Sequence, residues 1–253
     1  MSDNVAVTVD DLGLRPLSAR SVVLSLLLGA HPPELPARDL VLAADVLGIS
    51  EATLRVALTR MAAAGDLTRT GTVYRLSDRL IERQRRQDEA IHPSTRPWHG
   101  DWEMAVVTAV GRPAADRADL RATLSALRLA ELREGVWTRP ANLRRAWPTE
   151  LDSLVTRFTS RLEGEPGTLV DALWNLPAWA DRARALHDHF HTTTDDPARR
   201  ITAAAAIVRH LLADPVLPEA MRPADWPADT LRTAYATYQS ELIHLANLTW
   251  HAS

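Results

Sequence analysis

The chain has 253 residues, of which 46% are hydrophobic and 24% are charged, with a formal net charge of −3. This length suffices for one large domain or two to three small ones, and the composition excludes disordered and collagen-like proteins. All 29 cationic side chains are arginine and cysteine is absent, which excludes chemistry that needs a lysine amine or a thiol, disulfides included.

The N-terminal end and the longest apolar run argue against export and membrane insertion. The sequence begins MSDNVAVTVDD, which is acidic where a signal peptide would be basic. The longest apolar run, residues 22–30, is interrupted by Ser25 and is too short to cross a bilayer. We therefore expect a soluble cytoplasmic protein without a membrane segment.

Three helices are predicted in the first 64 residues. Ser18 is expected to cap a helix over residues 19–29. A second helix is predicted over 36–47, ended by a glycine, and Ser50 is expected to cap a third over 51–64. The short connection between the second and third helices is typical of a helix-turn-helix. The buried stripe of the third helix is predicted to consist of Leu54, Leu58 and Met61.

A hairpin is predicted directly after the third helix. Gly65 ends that helix, residues 66–70 and 72–76 read as two strands, and Gly71 forms the turn between them. A β-hairpin that directly follows the recognition helix in sequence is the wing of a winged helix-turn-helix. The sequence therefore predicts a winged helix-turn-helix.

The charge distribution of this region indicates an anionic partner. Residues 1–49 contain three arginines and six acidic residues, whereas residues 50–87 contain eight arginines and four acidic residues. A basic segment in an acidic protein favours double-stranded DNA as the partner, although a solvated helix face is the alternative. The predicted DNA-binding residues are Ser50, Thr53, Arg55, Thr59, Arg60, Arg69, Thr72 and Arg75. For Arg55, an ion pair with Glu51 is the alternative.

A linker is predicted over residues 87–97, because this stretch is polar and carries two prolines. None of the eight tryptophans precedes it. Beyond it, a strand over 102–110, a helix over 114–127, two strands around Gly135, a helix over 141–151 and a strand over 154–162 predict a ferredoxin-like βαββαβ order. Helical periodicity follows at residues 169–174, 178–190, 198–213 and 229–248.

Five segments, taken in order, resemble the PaaX-like transcriptional repressors of phenylacetate catabolism. They are GISEATLRVALTRMAAAGDLTR with the wing GTVYRLS, WHGDW, GVWTRPANL, ALWNLPAWADRARALHDHF and LPEAMRPADWPADTLRTAY. The resemblance covers nearly the whole chain after about the first fifteen residues.

The resemblance implies an α+β, mostly α, protein. We expect a disordered tail over residues 1–15, a winged helix-turn-helix domain over 16–90, a ferredoxin-like (Cas2-like) domain over 98–165 and a helical C-terminal domain over 166–253. It also implies a homodimer that binds an operator, expected to be a repressor released by an aryl- or acyl-CoA effector. Such a protein is a regulator, without a cofactor, and not an enzyme.

The last predicted helix carries one apolar face. That face can form the dimer interface, or it can pack inside a monomer. Its residues are Leu231, Tyr235, Tyr238, Leu242 and Leu245.

An effector pocket is predicted where aromatic rings stand beside arginines. Trp137 with Arg139, and Trp147 with Arg144 and Arg145, offer stacking surfaces beside positive charge for a CoA-type ligand. The alternative is that these tryptophans belong to the core.

The enzyme alternative is a Cas2-like metal-dependent nuclease. That reading needs a carboxylate at the end of the first strand of the middle domain, where this chain has residues 108–111, TAVG. A metal site at His187 and His191 is also considered, because these residues share a helix face while His189 points away. Two histidines are too few for a structural zinc site, so no metal site is predicted.

Overall fold

The computed structural model describes residues 12–251, with side chains described as far as residue 242. The chain divides into two compact units. The first unit combines residues up to 91 with residues 181–211 and those from 227 onward, and the second combines residues 92–180 and 212–226. The tail predicted for residues 1–15 lies mostly outside the described residues, and the three-domain division stays a prediction.

The first unit begins with the three predicted helices, α1 (Ala19–Gly29), α2 (Ala37–Val46) and α3 (Glu51–Ala63). The Ser18 side chain accepts a hydrogen bond from the Ser21 N–H, which confirms the predicted cap of α1. The three helices enclose an apolar core together with the sheet that follows. Its buried members include Leu27, Leu40, Leu54, Leu58, Met61, Leu67 and Leu76.

A three-stranded antiparallel sheet completes the winged helix. Its strands are β1 (Glu34–Pro36), β2 (Leu67–Thr70) and β3 (Val73–Leu76), in the order β1-β3-β2. The β2–β3 hairpin confirms the predicted wing, and Gly71 turns it with a φ of 60°, a left-handed conformation that favours glycine. The sequence analysis missed β1, because it placed Pro36 at the start of the second helix, whereas Pro36 ends an edge strand, where a proline is tolerated.

Helix α4 (Asp78–Ile91) corrects the predicted linker over residues 87–97. The helix continues through the first five residues of that stretch, and Gln84 and Gln87 are buried on its inner face. The Gln84 amide donates to the backbone carbonyls of Leu27, Leu28 and Ala30 at the end of α1. Gln87, the first residue of the predicted linker, donates to the Tyr235 hydroxyl. These polar side chains are therefore engaged by tertiary packing.

The C-terminal helices α7 (Leu176–Thr192), α8 (Pro197–Leu212) and α9 (Ala228–His251) confirm the predicted helical periodicity. On α9, Leu231, Tyr235 and Tyr238 are buried, at 0%, 7% and 6% exposure. These three side chains pack inside the protomer, so the monomer alternative holds for them and they are not available to a partner subunit. The side chain of Leu245 lies outside the described part.

The second unit contains a sheet and two helices. They comprise β4 (Asp101–Val107), α5 (Ala114–Ala126), β5 (Ala130–Arg133), β6 (Val136–Pro140), β7 (Val155–Arg161) and α6 (Pro166–Leu173). The four strands form one antiparallel sheet in the order β5-β6-β4-β7. This strand order, with helix α5 connecting β4 to β5, confirms the predicted ferredoxin-like fold.

The helix predicted over residues 141–151 is wrong. Only a 3₁₀ turn forms there, at Thr149–Leu151. The residues before it run beside residues 94–96: the Arg144 N–H donates to the Ser94 carbonyl, and the Arg96 N–H donates to the Asn142 carbonyl. Backbone groups that a helix would satisfy internally are instead satisfied by a distant segment.

Candidate nucleic-acid interface

Helix α3 turns one face inward and leaves the opposite face in solvent. Leu54, Leu58 and Met61 are no more than 2% exposed. The Ser50 Oγ accepts a hydrogen bond from the Thr53 N–H at 3.3 Å, which caps the helix as predicted. Every side chain predicted to contact DNA is exposed, namely Ser50, Thr53, Arg55, Thr59, Arg60, Arg69, Thr72 and Arg75.

Arg55 forms the ion pair with Glu51 that the sequence analysis gave as the alternative. Its Nε donates to Glu51 Oε1 at 2.7 Å. The side chains are 70% and 54% exposed, so water weakens the pair to about 0.3–0.5 kcal/mol. The pair orients Arg55 in the free protein, but it is weak enough to yield to a base edge or a phosphate.

Arg60 lies one turn from the end of α3 and is exposed. Among the described residues no carboxylate pairs with it. Thr59 beside it donates its hydroxyl proton to the Arg55 carbonyl at 2.9 Å, within the helix. Arg60 is therefore the arginine of α3 whose guanidinium has no internal competitor for an anion or a guanine edge.

The wing holds its two arginines differently. Arg69 donates from Nε to the Gly71 carbonyl at 2.8 Å and lies 5.6 Å from the centre of the Tyr74 ring, so it is held along the hairpin. Arg75 forms an exposed ion pair with Glu34 at 3.3 Å. Both guanidiniums remain at the surface, where phosphate groups can reach them.

A buried carboxylate organises a second pair of arginines that the sequence analysis missed. The side chain of Asp66 is 7% exposed and accepts hydrogen bonds from Arg20 Nη2 at 2.9 Å and from Arg79 Nη2 at 2.5 Å. Arg20 and Arg79 are themselves 56% and 71% exposed. Asp66 thus fixes two cationic side chains at the surface beside α3. The sequence signal was slight: an acid directly after Gly65, with Arg20 46 residues away.

An open groove of about 650 Å³ lies between the start of α1 and the outer side of α3. Its lining is mostly apolar, with Arg20, Arg60 and Asp66 as charged members. Most of the uncharged side chains on the α3 side of the groove are small. The uncharged α3 side chains that line it are Ala52, Thr53, Val56, Ala57, Met61 and Ala64.

Two of the predicted effector residues, Trp137 and Arg139, lie on β6 of the second unit, and the other two, Arg144 and Trp147, lie in the segment that follows it. Trp137 is 4% exposed and packs in the core with Ala105 and Leu124. Trp147 is half-buried, with the Arg157 guanidinium 4.7 Å from its ring centre, and Arg144 is exposed. The burial of Trp137 agrees with the core alternative, and the pocket stays a prediction.

Arg139 is fully buried, at 0% exposure. It donates hydrogen bonds to Asn142 Oδ1 at 2.8 Å and to the carbonyls of Arg128 and Val216. Burial, together with the positive charge of Arg145, lowers the pKa of Arg139 to about 9. Arg139 therefore ties Val216 to strand β6, a structural role that the sequence analysis did not foresee. Its assignment to an effector stays a prediction.

The structure also places the residues of the two alternative sites, the nuclease site and the histidine pair. Strand β4 ends at Val107, and the residues that follow it carry no carboxylate where a Cas2-like nuclease needs one, so that alternative is not favoured. His187 and His191 meet with their Nε2 atoms 3.0 Å apart. Within the described residues, no group of three or more potential ligands gathers to hold a metal ion.

No helix in the described part of the chain combines the length and the apolar character that crossing a membrane requires.

Comparison with known proteins gives three consecutive family matches. Residues 18–80 match the model of the PaaX-like protein, residues 95–169 match the PaaX protein central Cas2-like domain, and residues 174–252 match the PaaX-like protein C-terminal domain. No curated protein matches the chain. One similar solved structure is described as the uncharacterized protein Rv0674 from Mycobacterium tuberculosis. It is 48% identical, covering 92% of this chain and 99% of that one, with a TM-score of 0.80.

Proposed function

Because the chain belongs to the PaaX-like family of transcriptional regulators, we propose that it is a sequence-specific DNA-binding regulator and not an enzyme. One observation carries the proposal. The exposed face of α3 presents Arg60, for which the described residues offer no carboxylate partner, in the same unit as the arginine-bearing wing and the Asp66-held pair of Arg20 and Arg79.

In this proposal α3 enters the major groove of duplex DNA. An α-helix fits this groove, and a guanidinium forms two hydrogen bonds with the O6 and N7 atoms of guanine. Arg60 and Arg55 are the candidates for base contacts. Arg55 must first leave Glu51, which costs about 0.3–0.5 kcal/mol because the pair is exposed.

The remaining arginines act on the phosphate backbone. Arg69 and Arg75 lie on the wing, and Arg20 and Arg79 are held by Asp66. A guanidinium fixed by a buried carboxylate loses less side-chain entropy when it binds a phosphate. These contacts orient the protein on DNA and set its affinity without reading sequence.

The proposals on oligomeric state, regulatory role and effector rest on the family resemblance. We propose a homodimer that binds two half-sites, acts in the cytoplasm as a repressor of a catabolic operon, and is released by an aryl- or acyl-CoA thioester. The effector has to prefer the dimer conformation that cannot bind DNA, and a tenfold loss of affinity needs about 1.4 kcal/mol of preference. Since the chain has no lysine, arginine would have to bind the CoA phosphates.

Footprinting on the DNA upstream of the protein's own gene tests the proposal. We expect protection of two identical half-sites about ten base pairs apart, or a multiple of that, on one face of the duplex. The probe should stay uncut in Mg²⁺ or Mn²⁺. Cleavage of the probe, or uniform protection of every sequence tested, would refute sequence-specific regulation. Melting shifts with a panel of CoA thioesters test the effector separately, and light scattering tests the dimer.

A further inference from the structure

The outermost face of α3 is apolar, which is unusual for a surface that meets DNA. Successive residues of a helix are rotated by about 100°, so residues 52, 56 and 63 stand opposite the buried stripe that begins at Leu54. These residues are Ala52, Val56 and Ala63, and all three are exposed. Val56 is the largest of them and is 50% exposed.

Val56 lies next to polar side chains on the exposed face of α3. Thr59 and Arg60 follow it by three and four positions and flank the apolar strip. It also lines the open groove between α1 and α3, where its neighbours Ala52 and Ala57 leave space around it. A partner that covers this face must therefore offer an apolar group within an anionic surface, because the same groove is bordered by Arg60 and by Arg20, the latter paired with Asp66.

Resting on the DNA-binding function proposed above, we propose that Val56 contacts the C5-methyl group of a pyrimidine in the major groove, namely thymine. That methyl is the apolar group that base pairs present in the major groove, and it distinguishes a T·A pair from the other pairs. Phosphates of the DNA backbone near this base match Arg20 and Arg60, which line the same groove as Val56.

The spacing of Val56 and Arg60 predicts part of the operator. Side chains at i and i+4 of a helix are about 5–6 Å apart, and successive bases along one strand are separated by about 3.4 Å. A thymine contacted by Val56 and a guanine contacted by Arg60 therefore lie one or two base steps apart. Each half-site should contain this pair.

Selection from random duplex libraries tests the inference with the full-length protein. One library is made with thymine and the other with uracil, which lacks the C5-methyl group. We expect the wild-type protein to enrich a motif with thymine one or two steps from guanine in the first library, and to lose the preference for that base in the second. If no motif is enriched in either library, the proposed function itself fails.

Affinity measurements on the selected duplex then isolate the methyl group. Replacing the one thymine by uracil should weaken wild-type binding about fourfold per half-site, equivalent to about 0.8 kcal/mol for one buried methyl. Val56→Ala should bind the thymine and uracil duplexes about equally. The helix should persist, because alanine has the higher helix propensity. Val46→Ala is the matched control: Val46 is 67% exposed on α2, and its loss should leave the fourfold ratio intact.

Three outcomes overturn the inference while DNA binding stands. The first is a wild-type protein that does not distinguish uracil from thymine at any position of the motif. The second is a Val56→Ala variant that keeps the fourfold ratio between its affinities for the thymine and uracil duplexes. The third is tighter binding when 5-methylcytosine replaces the thymine, which would assign the contact to methylated DNA. Weaker binding of that duplex than of the thymine duplex supports thymine.

Discussion

Glu51→Gln is expected to strengthen DNA binding, whereas Arg55→Ala is expected to weaken it. Both changes act on one exposed ion pair on α3, in which Arg55 Nε lies 2.7 Å from Glu51 Oε1. In the free protein Glu51 holds the Arg55 guanidinium, and under the proposed function DNA has to displace this carboxylate. Removing the carboxylate releases the arginine, and removing the arginine deletes the proposed DNA contact.

The two effects differ in size. The pair contributes about 0.3–0.5 kcal/mol, so Glu51→Gln should tighten binding about twofold. If Arg55 contacts a guanine edge, Arg55→Ala should cost about 1–3 kcal/mol, which is roughly a 5- to 140-fold loss of affinity on the preferred duplex. Neither change should alter the free energy of unfolding by more than about 0.5 kcal/mol, because both side chains are exposed.

Fluorescence anisotropy on the selected duplex, at fixed salt, measures these changes. The double variant Glu51→Gln/Arg55→Ala is the matched control. In this double variant, Glu51→Gln should raise DNA affinity only by removing one negative charge from the protein surface. That increase in affinity should become smaller as the salt concentration increases. Circular dichroism and light scattering establish that each variant is folded and assembled as the wild type is. An Arg55→Ala variant with unchanged affinity and preference would limit Arg55 to its pair with Glu51.

The other predictions concern the core, the wing and alkaline pH. Leu58→Ala should lower the free energy of unfolding by about 2–5 kcal/mol in urea titrations, because it leaves a cavity at a residue that is 2% exposed; a loss below 1 kcal/mol would contradict this packing. Arg75→Gln should weaken binding to all sequences alike and reduce the slope of affinity against salt by about one unit, and a change confined to one sequence would argue for base contact. Burial raises the pKa of Tyr235 to about 12, so the folded state keeps a proton that the unfolded chain loses near pH 10. The stabilisation that comes from this proton should therefore be fully present below pH 10 and be lost, by roughly 3 kcal/mol, as pH rises towards 12. Comparing Tyr235→Phe with the wild type in urea titrations at pH 9 and 11 isolates this contribution, because Arg139 and Tyr238, whose pKa values burial also shifts, are present in both proteins; an equal change in stability with pH in the two proteins would contradict the assignment.

The helices and hairpin of the winged helix were predictable because their signals are local. Ser18 and Ser50 cap helices within three residues of themselves. The stripe from Leu54 to Met61 follows from helical periodicity alone. Gly71 adopts a positive φ that its turn requires. Most of the candidate interface was predictable for the same reason, since an exposed arginine on α3 needs only the phase of the buried stripe.

The errors arose where a distant segment supplies the hydrogen bonds. Residues 87–91 carry polar side chains typical of a linker, yet Gln87 donates to the Tyr235 hydroxyl across 148 positions of sequence. Residues 142–144 bond to the backbone of residues 94–96 and therefore do not form a helix. A hydrogen bond between residues far apart in sequence leaves no periodic pattern.

The sequence by itself determined the three helices and the hairpin of the winged helix, the inward face of α3 and the family resemblance, because each depends on contiguous residues. Tertiary structure alone decided which charges are engaged: Arg55 with Glu51, and Arg20 and Arg79 with Asp66. It also decided that Leu231, Tyr235 and Tyr238 on α9 are buried within the protomer. Periodicity states only that a face is apolar or charged, whereas the packing of distant elements determines what covers it.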